Sequence, residues 1–435
     1  MRQKTLSQLP LTYQLSDNYR TKLLMKISSF LSDNPTLADG IQQALTQGKI
    51  NTGARGITAE QVMRISILRS LEEFTYDDLV FHLNENMTYR AFCFFGIADK
   101  IPSRSSLAAL LKEISAGVWE TVNTIVVATD EAVKLDSGKE VRTDCTVVEA
   151  NIHEPSDSSL LYDLIRVTVR TLKGAGYRKF SNRSKAAKRR LNEIRSCRGK
   201  KKRLKHYRAL LKIARETMGY AATALENPEI FTKNFAENIA LLILKGQIVI
   251  SQTERRVING EKVPATEKLV SIFETHADVI VKDNRDTFYG HKICLTAGKS
   301  TLVFDCTVLE GNPADSTLAV EMIKRLQEKY GTVPEKVAMD GGFASKKNLK
   351  ELKIHGVSEV CFSKKRGMKT EDMCSSKKVY RKLWKFRAGV EGIISWLKRS
   401  FSLDKCPWRS FSSFKSYVWS SIVAANLVTI CKSLL

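Results

Sequence analysis

Placed on a helix at about 100° per residue, the stretch from Leu383 to Phe401 separates into two stripes. Trp384, Arg387, Glu391, Ser395 and Lys398 share one face. Leu383, Phe386, Val390, Ile393, Ile394, Leu397 and Phe401 share the opposite one. The apolar stripe fixes such a helix against a core, and one carboxylate then stands among basic and polar groups. That carboxylate can ligate a metal ion beside a phosphate backbone. The same spacing also fits an ordinary amphipathic helix with an Arg–Glu pair at i,i+4, so the stripe alone leaves both readings open.

Two further carboxylates share this character. From Glu140 to Ile152 the pattern has a period of two: Val141, Thr143, Cys145 and Val147 on one face, Arg142, Asp144, Thr146 and Val148 on the other. An Asp inside a strand is poor strand chemistry and needs a partner or a ligand. Asp340 follows a strand expected over Glu335–Met339 and precedes Gly341-Gly342, where a backbone or ligand can come close. Three carboxylates on rigid elements suit hard Mg2+ or Mn2+ ions. Two such ions roughly 4 Å apart can activate the attacking oxygen and stabilise the leaving oxygen in phosphoryl transfer. Other chemistries lack their motifs: there is no H-E-x-x-H, no G-x-S-x-G and no G-x-x-x-x-G-K-[ST]. His291, in Tyr-Gly-His-Lys, could approach the site or be a satisfied structural histidine.

The elements that must hold these groups belong to a chain of 435 residues with a net charge of +24. That length allows two or three domains, and that charge points to a polyanion, nucleic acid first. The positive charge peaks at Arg178–Arg208, with fifteen Lys or Arg and one acid, Glu193. Lys200, Lys201, Lys202 and Arg203 form its densest part. The run reads as a phosphate-backbone clamp or as a solvated, partly disordered arm. Nine cysteines without a C-x-x-C suggest a reducing cytoplasm and no zinc site. No secretory signal is evident, and neither apolar stretch, Ile239–Ile250 or Tyr417–Leu435, is a clean membrane span.

Helices are expected near Leu23–Leu31, after Thr58 with Gln61 completing a capping box, near Tyr76–Leu83, and after Ser103. Residues 157–250 read as mostly helical. Strands are expected at Leu269–Phe273, Val279–Lys282, Gly290–Thr296, Thr301–Leu309 and Val357–Phe362. Helices are expected at Ser316–Tyr330, from Ser345 to Ile354 and at Phe414–Leu434, with a basic loop over 363–382. Strands followed by alternating helix and strand indicate an α/β fold with a mixed sheet.

Thr143-Asp-Cys-Thr-Val-Val-Glu-Ala-Asn-Ile152, Val337-Ala-Met-Asp340-Gly-Gly-Phe343 and Arg387-x3-Glu391-x6-Lys398 resemble the three signature blocks of bacterial insertion-sequence transposases of the DDE type. In one large family of these the third block reads Tyr, two residues, Arg, three, Glu, six, Lys. Trp384 stands here in place of the Tyr, so a phenol hydroxyl is lost while aromatic stacking remains available. The resemblance covers most of the chain from about residue 55 onward.

The resemblance implies an RNase H-like mixed-sheet core, a helical N-terminal DNA-binding region at 1–125 and a helical basic insertion at 156–255 after the first strand. The core itself would comprise 135–155 and 256–435. Asp144, Asp340 and Glu391 would be the catalytic metal ligands for Mg2+ or Mn2+. Arg387 and Lys398 would contact phosphates, and Trp384 would stack on a displaced base. The implied function is binding of terminal inverted repeats, metal-dependent cleavage and strand transfer. The implied partners are transposon-end and target DNA and a second copy of the chain on paired ends. The implied location is the cytoplasm, with the nucleoid. The alternatives are a non-catalytic DNA-binding derivative and a metal-dependent nuclease without strand transfer.

Overall fold

The computed structural model describes residues 17–47, 56–226, 232–282 and 286–435. Before the first strand come α1 (Tyr19–Asp33), α2 (Asp39–Thr46), α3 (Ala59–Glu72), α4 (Tyr76–Glu85), α5 (Met87–Phe92), α6 (Arg104–Glu113), α7 (Ala116–Ala128) and α8 (Asp130–Leu135). Side-chain caps set several of these starts. Thr58 Oγ1 accepts from the Gln61 amide at 3.1 Å while Gln61 Oε1 accepts from the Thr58 amide at 2.9 Å, the expected capping box. Thr75 with Asp78 repeats the device at α4, and Ser103 and Ser115 cap α6 and α7.

The sheet has six strands: β1 (Glu140–Glu149), β2 (Asp278–Lys282), β3 (Asp286–Ala297), β4 (Val303–Val308), β5 (Lys336–Met339) and β6 (Glu359–Phe362). The long β3 runs antiparallel to β1 on one side. On its other side it pairs with β2 along its first half and with β4 along its second. β5 is parallel to β1, and β6 is parallel to β5. This is the RNase H-like mixed sheet that the motifs implied. Helices α13 (Asp315–Tyr330) and α14 (Lys346–Ile354) provide the crossovers β4–β5 and β5–β6. After the single turn α15 (Thr370–Met373), α16 (Lys377–Ser400) packs across β1, β5 and β6.

Between β1 and β2 lie α9 (Asp157–Gly174), α10 (Ser184–Ser196), α11 (Lys200–Leu225) and α12 (Lys233–Thr253). They have an apolar centre of their own, in which Leu161, Ile165, Leu210, Ile213 and Val249 meet. The basic run therefore does not form a disordered arm. It folds as α10 and the start of α11, because Ala187, Leu191, Ile194 and Tyr207 give the two helices buried backs. Glu193, its one acid, accepts from Arg190 at 2.7 Å and pairs with His206 at 2.9 Å.

The closing helix α17 (Phe411–Ser433) is long and apolar enough to cross a membrane by length and composition, but 89% of that stretch is buried inside the fold. It packs against α3 and α7, so the N-terminal helices and the sheet share one continuous apolar core. Residue 125, where the N-terminal region was expected to end, lies inside α7. Buried Asn426 ties the layers: its Nδ2 donates to Asn123 Oδ1 of α7 and to the Val303 carbonyl, each at 2.8 Å, and its Oδ1 accepts from the Val303 amide at 2.9 Å.

Two expectations need correction. Leu269–Phe273 is not a strand, because the buried Gln252 amide takes the place of a neighbouring strand. Its Oε1 accepts from the Leu269 amide at 3.0 Å and its Nε2 donates to the Leu269 carbonyl at 3.1 Å. Nor is 363–382 a loop throughout. Ser376 Oγ accepts from the Val379 amide at 3.2 Å and starts α16 at Lys377, so the last basic residues of that segment line a helix.

Candidate active site

Strand pairing brings the first two carboxylates together. Thr143 of β1 is the parallel partner of Met339 of β5. Asp144 and Asp340 are the next residues on each strand, so they emerge side by side on chains spaced about 4.8 Å apart. Helix α16 delivers the third carboxylate, and its apolar stripe is the expected one: Leu383, Val390, Ile393 and Leu397 are buried. Phe386 and Ile394 are half-buried, and Glu391 faces out.

All three acids converge on one guanidinium. Arg387 Nη2 lies 3.2 Å from Asp144 Oδ2 and 3.0 Å from Asp340 Oδ1, and Nη1 lies 3.0 Å from Glu391 Oε1. The Arg387 and Asp144 side chains are 17% and 14% exposed, against 37% for Asp340 and 67% for Glu391. Burial pushes the Asp144 carboxyl up, opposed by the Cys145 amide and by Arg387. Asp340 is also partly buried, but the Ser363 hydroxyl, the Gly341 amide and Arg387 outweigh that burial and hold its carboxyl below the usual range. Ser363 Oγ donates to Asp340 Oδ1 at 2.7 Å. The donors are carboxylate oxygens gathered about a cation, which suits Mg2+ or Mn2+. Among the described residues no three acidic, His or Cys side chains stand ready as a metal cluster.

A cleft of about 770 Å³ surrounds this centre, lined by Asp144, Asp340, Arg387, Glu391 and Lys398 together with Lys292 and Asp315. Lys292 forms an ion pair with Asp315 and donates to the Pro313 carbonyl at 2.7 Å. A Cβ at Gly342 would lie 2.6 Å from Asp315 Oδ2. Sequence reasoning missed Ser363, Lys292 and Asp315. No spacing connects them to the signature blocks, and only the folded strand ends bring them in.

The remaining expected residues are more dispersed. Lys398 borders the cleft and pairs with Asp404 at 3.2 Å. Trp384 is 48% exposed and lies in a separate hollow with Tyr380, Arg381, Lys382 and Lys385. Lys200, Lys201, Lys202 and Arg203 form the exposed first turn of α11, away from the cleft lining. Cations at a helix N-terminus oppose the helix dipole. His291 sits four pairs along the β1–β3 ladder from Asp144, opposite Val148. Its Nε2 meets His276 Nδ1 at 2.7 Å, and its Nδ1 faces the Leu309 carbonyl at 3.2 Å. His276 Nε2 lies 2.9 Å from Glu274 Oε2. His291 thus belongs to a buried structural network.

The strand order is that of an RNase H-like mixed sheet. A family model described as the transposase DDE domain matches residues 251–427, and one described as a transposase domain (DUF772) matches 13–113. Both matches are consistent with an insertion-sequence DDE transposase. No curated protein and no solved structure matches it. Asp340 and Glu391 fall inside the DDE match, whereas Asp144 falls between the two matches and joins the site through the β1–β5 pairing.

Proposed function

We propose that the chain is an insertion-sequence transposase that binds the terminal inverted repeats of its element, cuts phosphodiester bonds there and joins the ends to target DNA. The observation that carries this reading is the meeting of Asp144, Asp340 and Glu391 on one cation, Arg387. Bound Mg2+ or Mn2+ would activate the attacking oxygen and stabilise the leaving one. Asp144, Asp340 and Glu391 would hold the metal, and Arg387 would withdraw from among them to pair with a DNA phosphate bidentately. Lys398, at the cleft edge, would contact a second phosphate, and exposed Trp384 would stack on a base. The first turn of α11 would clamp the backbone without reading sequence.

The N-terminal helices would supply contacts to the ends, and two copies would assemble on paired ends. The protein would work in the cytoplasm, at the nucleoid. Asp340→Ala tests the assignment: DNA binding should persist while end cleavage in Mg2+ is lost, and surviving cleavage would refute it. Pre-cut ends then ask whether the 3′ hydroxyl attacks target DNA, which separates a transposase from a plain nuclease.

A further inference from the structure

Two glycines interrupt α16 beside Glu391, and neither has a left-handed backbone. A mid-helix glycine is a poorer helix former than alanine, so each needs a use. Around Gly392 nothing lies within 4 Å of where a Cβ would stand. At Gly389 a Cβ would overlap Arg142 Nη1 and lie 3.0 Å from its Cζ. Gly389 therefore serves as a passage for the Arg142 side chain.

Arg142 uses that passage to reach the helix backbone. Its Nη1 donates to the Phe386 carbonyl at 2.9 Å, and its guanidinium lies 4.6 Å from the centre of the Phe386 ring. The residue is only 7% exposed, and its Nε has no hydrogen-bond partner. An arginine on a central strand under those conditions is poor packing chemistry. Its position suggests a purpose. Arg142 stands two residues before Asp144 on the same face of β1, and Phe386 immediately precedes Arg387. Strand and helix are tethered at two points, by Arg142 to the Phe386 carbonyl and by Asp144 to Arg387.

We propose that Arg142, passing Gly389 to the Phe386 carbonyl, is a positioning residue that fixes α16 against β1 and so sets the spacing of Glu391 from Asp144. The inference rests on the metal-site reading above for its consequence, but the tether itself does not. A side chain that orients metal ligands from behind typically changes metal affinity about 10–100-fold when removed.

The test is a double-mutant cycle in the full chain with Gly389→Ala, Arg142→Met and both together. Gly389 is exposed on its free side, so a displaced guanidinium has solvent to enter and the variant can fold. Amide exchange of the peptide around Val390 reads the tether without metal. Gly389→Ala should speed exchange several-fold when Arg142 is present and slow it in the Arg142→Met background, where the passage is open. Gly392→Ala should slow exchange in both backgrounds. Mn2+ titration reads the consequence: Gly389→Ala should weaken binding about tenfold when Arg142 is present and add nothing in the Arg142→Met background. Equal exchange effects of Gly389→Ala in both backgrounds would overturn the tether. If exchange behaves as expected but Mn2+ affinity does not change, the positioning role is overturned. Asp144→Asn is the control for the site: if it leaves Mn2+ binding intact, the metal-site reading fails while the exchange cycle still decides the tether.

Discussion

Removing the guanidinium that sits among the three acids should destabilise the protein without divalent metal and enlarge the stabilisation that metal brings. Of its three ion pairs, only that with Asp144 has both side chains largely out of water, at 17% and 14% exposure. Breaking a buried pair costs about 3–5 kcal/mol, and an exposed one about 0–1 kcal/mol. Glu391, at 67% exposed, belongs with the second kind, and Asp340, at 37%, lies between. Discounting Asp144 for its residual exposure, Arg387→Ala should cost about 2–4 kcal/mol in EDTA. A divalent cation then supplies the missing charge without displacing anything. Mn2+ at a hundred times its dissociation constant adds about 2.7 kcal/mol, enough to recover most of the loss. In the wild type the metal must first displace Arg387, so the gain is smaller. The assay is thermal melting of both proteins in EDTA and across a Mn2+ series, with Asp144→Asn as control. The variant should melt several degrees lower in EDTA and rise further with Mn2+ than the wild type. Equal Mn2+ shifts in the two proteins would refute the competition between guanidinium and metal. An unchanged melting temperature in EDTA would refute the claim that Arg387 holds the acids.

Three further outcomes are expected. Asp340→Ala should reduce end cleavage by at least about a thousandfold, since a lost metal ligand removes several kcal/mol of transition-state stabilisation, with filter or gel-shift binding to the ends retained. Replacing Lys200, Lys201, Lys202 and Arg203 with Gln should lower the slope of log K against log salt by about 3–4, at about 0.9 per phosphate contact; an unchanged slope would remove this turn from the DNA interface. Burial holds the His276 imidazole below its ordinary 6.5, with His291 adding to the effect and Glu274 opposing it. A folded-state value depressed in this way contributes stability above the unfolded value and loses it as the pH falls through the folded one. Melting temperature should therefore fall more steeply below about pH 6.5 in the wild type than in His276→Gln, and parallel curves would contradict this.

The acids themselves were legible because each breaks a local rule. Asp144 lies inside a strand, Asp340 precedes a pair of glycines, and Glu391 is the one carboxylate on the polar stripe of an amphipathic helix. Periodicity also recovered α16 and α13, and spacing recovered the Thr58–Gln61 capping box, since those depend on neighbours three or four residues apart. It failed at Leu269–Phe273, where an apolar run finds its hydrogen bonds in the Gln252 side chain. It failed again at 363–382, where charge density masked a helix started by Ser376.

Local chemistry in the sequence thus determined which residues are chemically out of place, the basic character of the chain and the helices whose caps and stripes are written within one turn. Only the tertiary structure decided what those residues meet. Asp144 and Asp340 stand side by side through the parallel pairing of β1 with β5, across nearly two hundred residues of chain. Ser363, Lys292 and Asp315 join them through strand ends and loops that share no periodicity. The sequence pattern placed Arg387 beside Glu391 at i,i+4, but it could not show that the same guanidinium also holds Asp144 and Asp340. Nor could it show that Gly389 makes room for Arg142. Those contacts depend on how a helix lies across a sheet, a relation set by packing between distant segments.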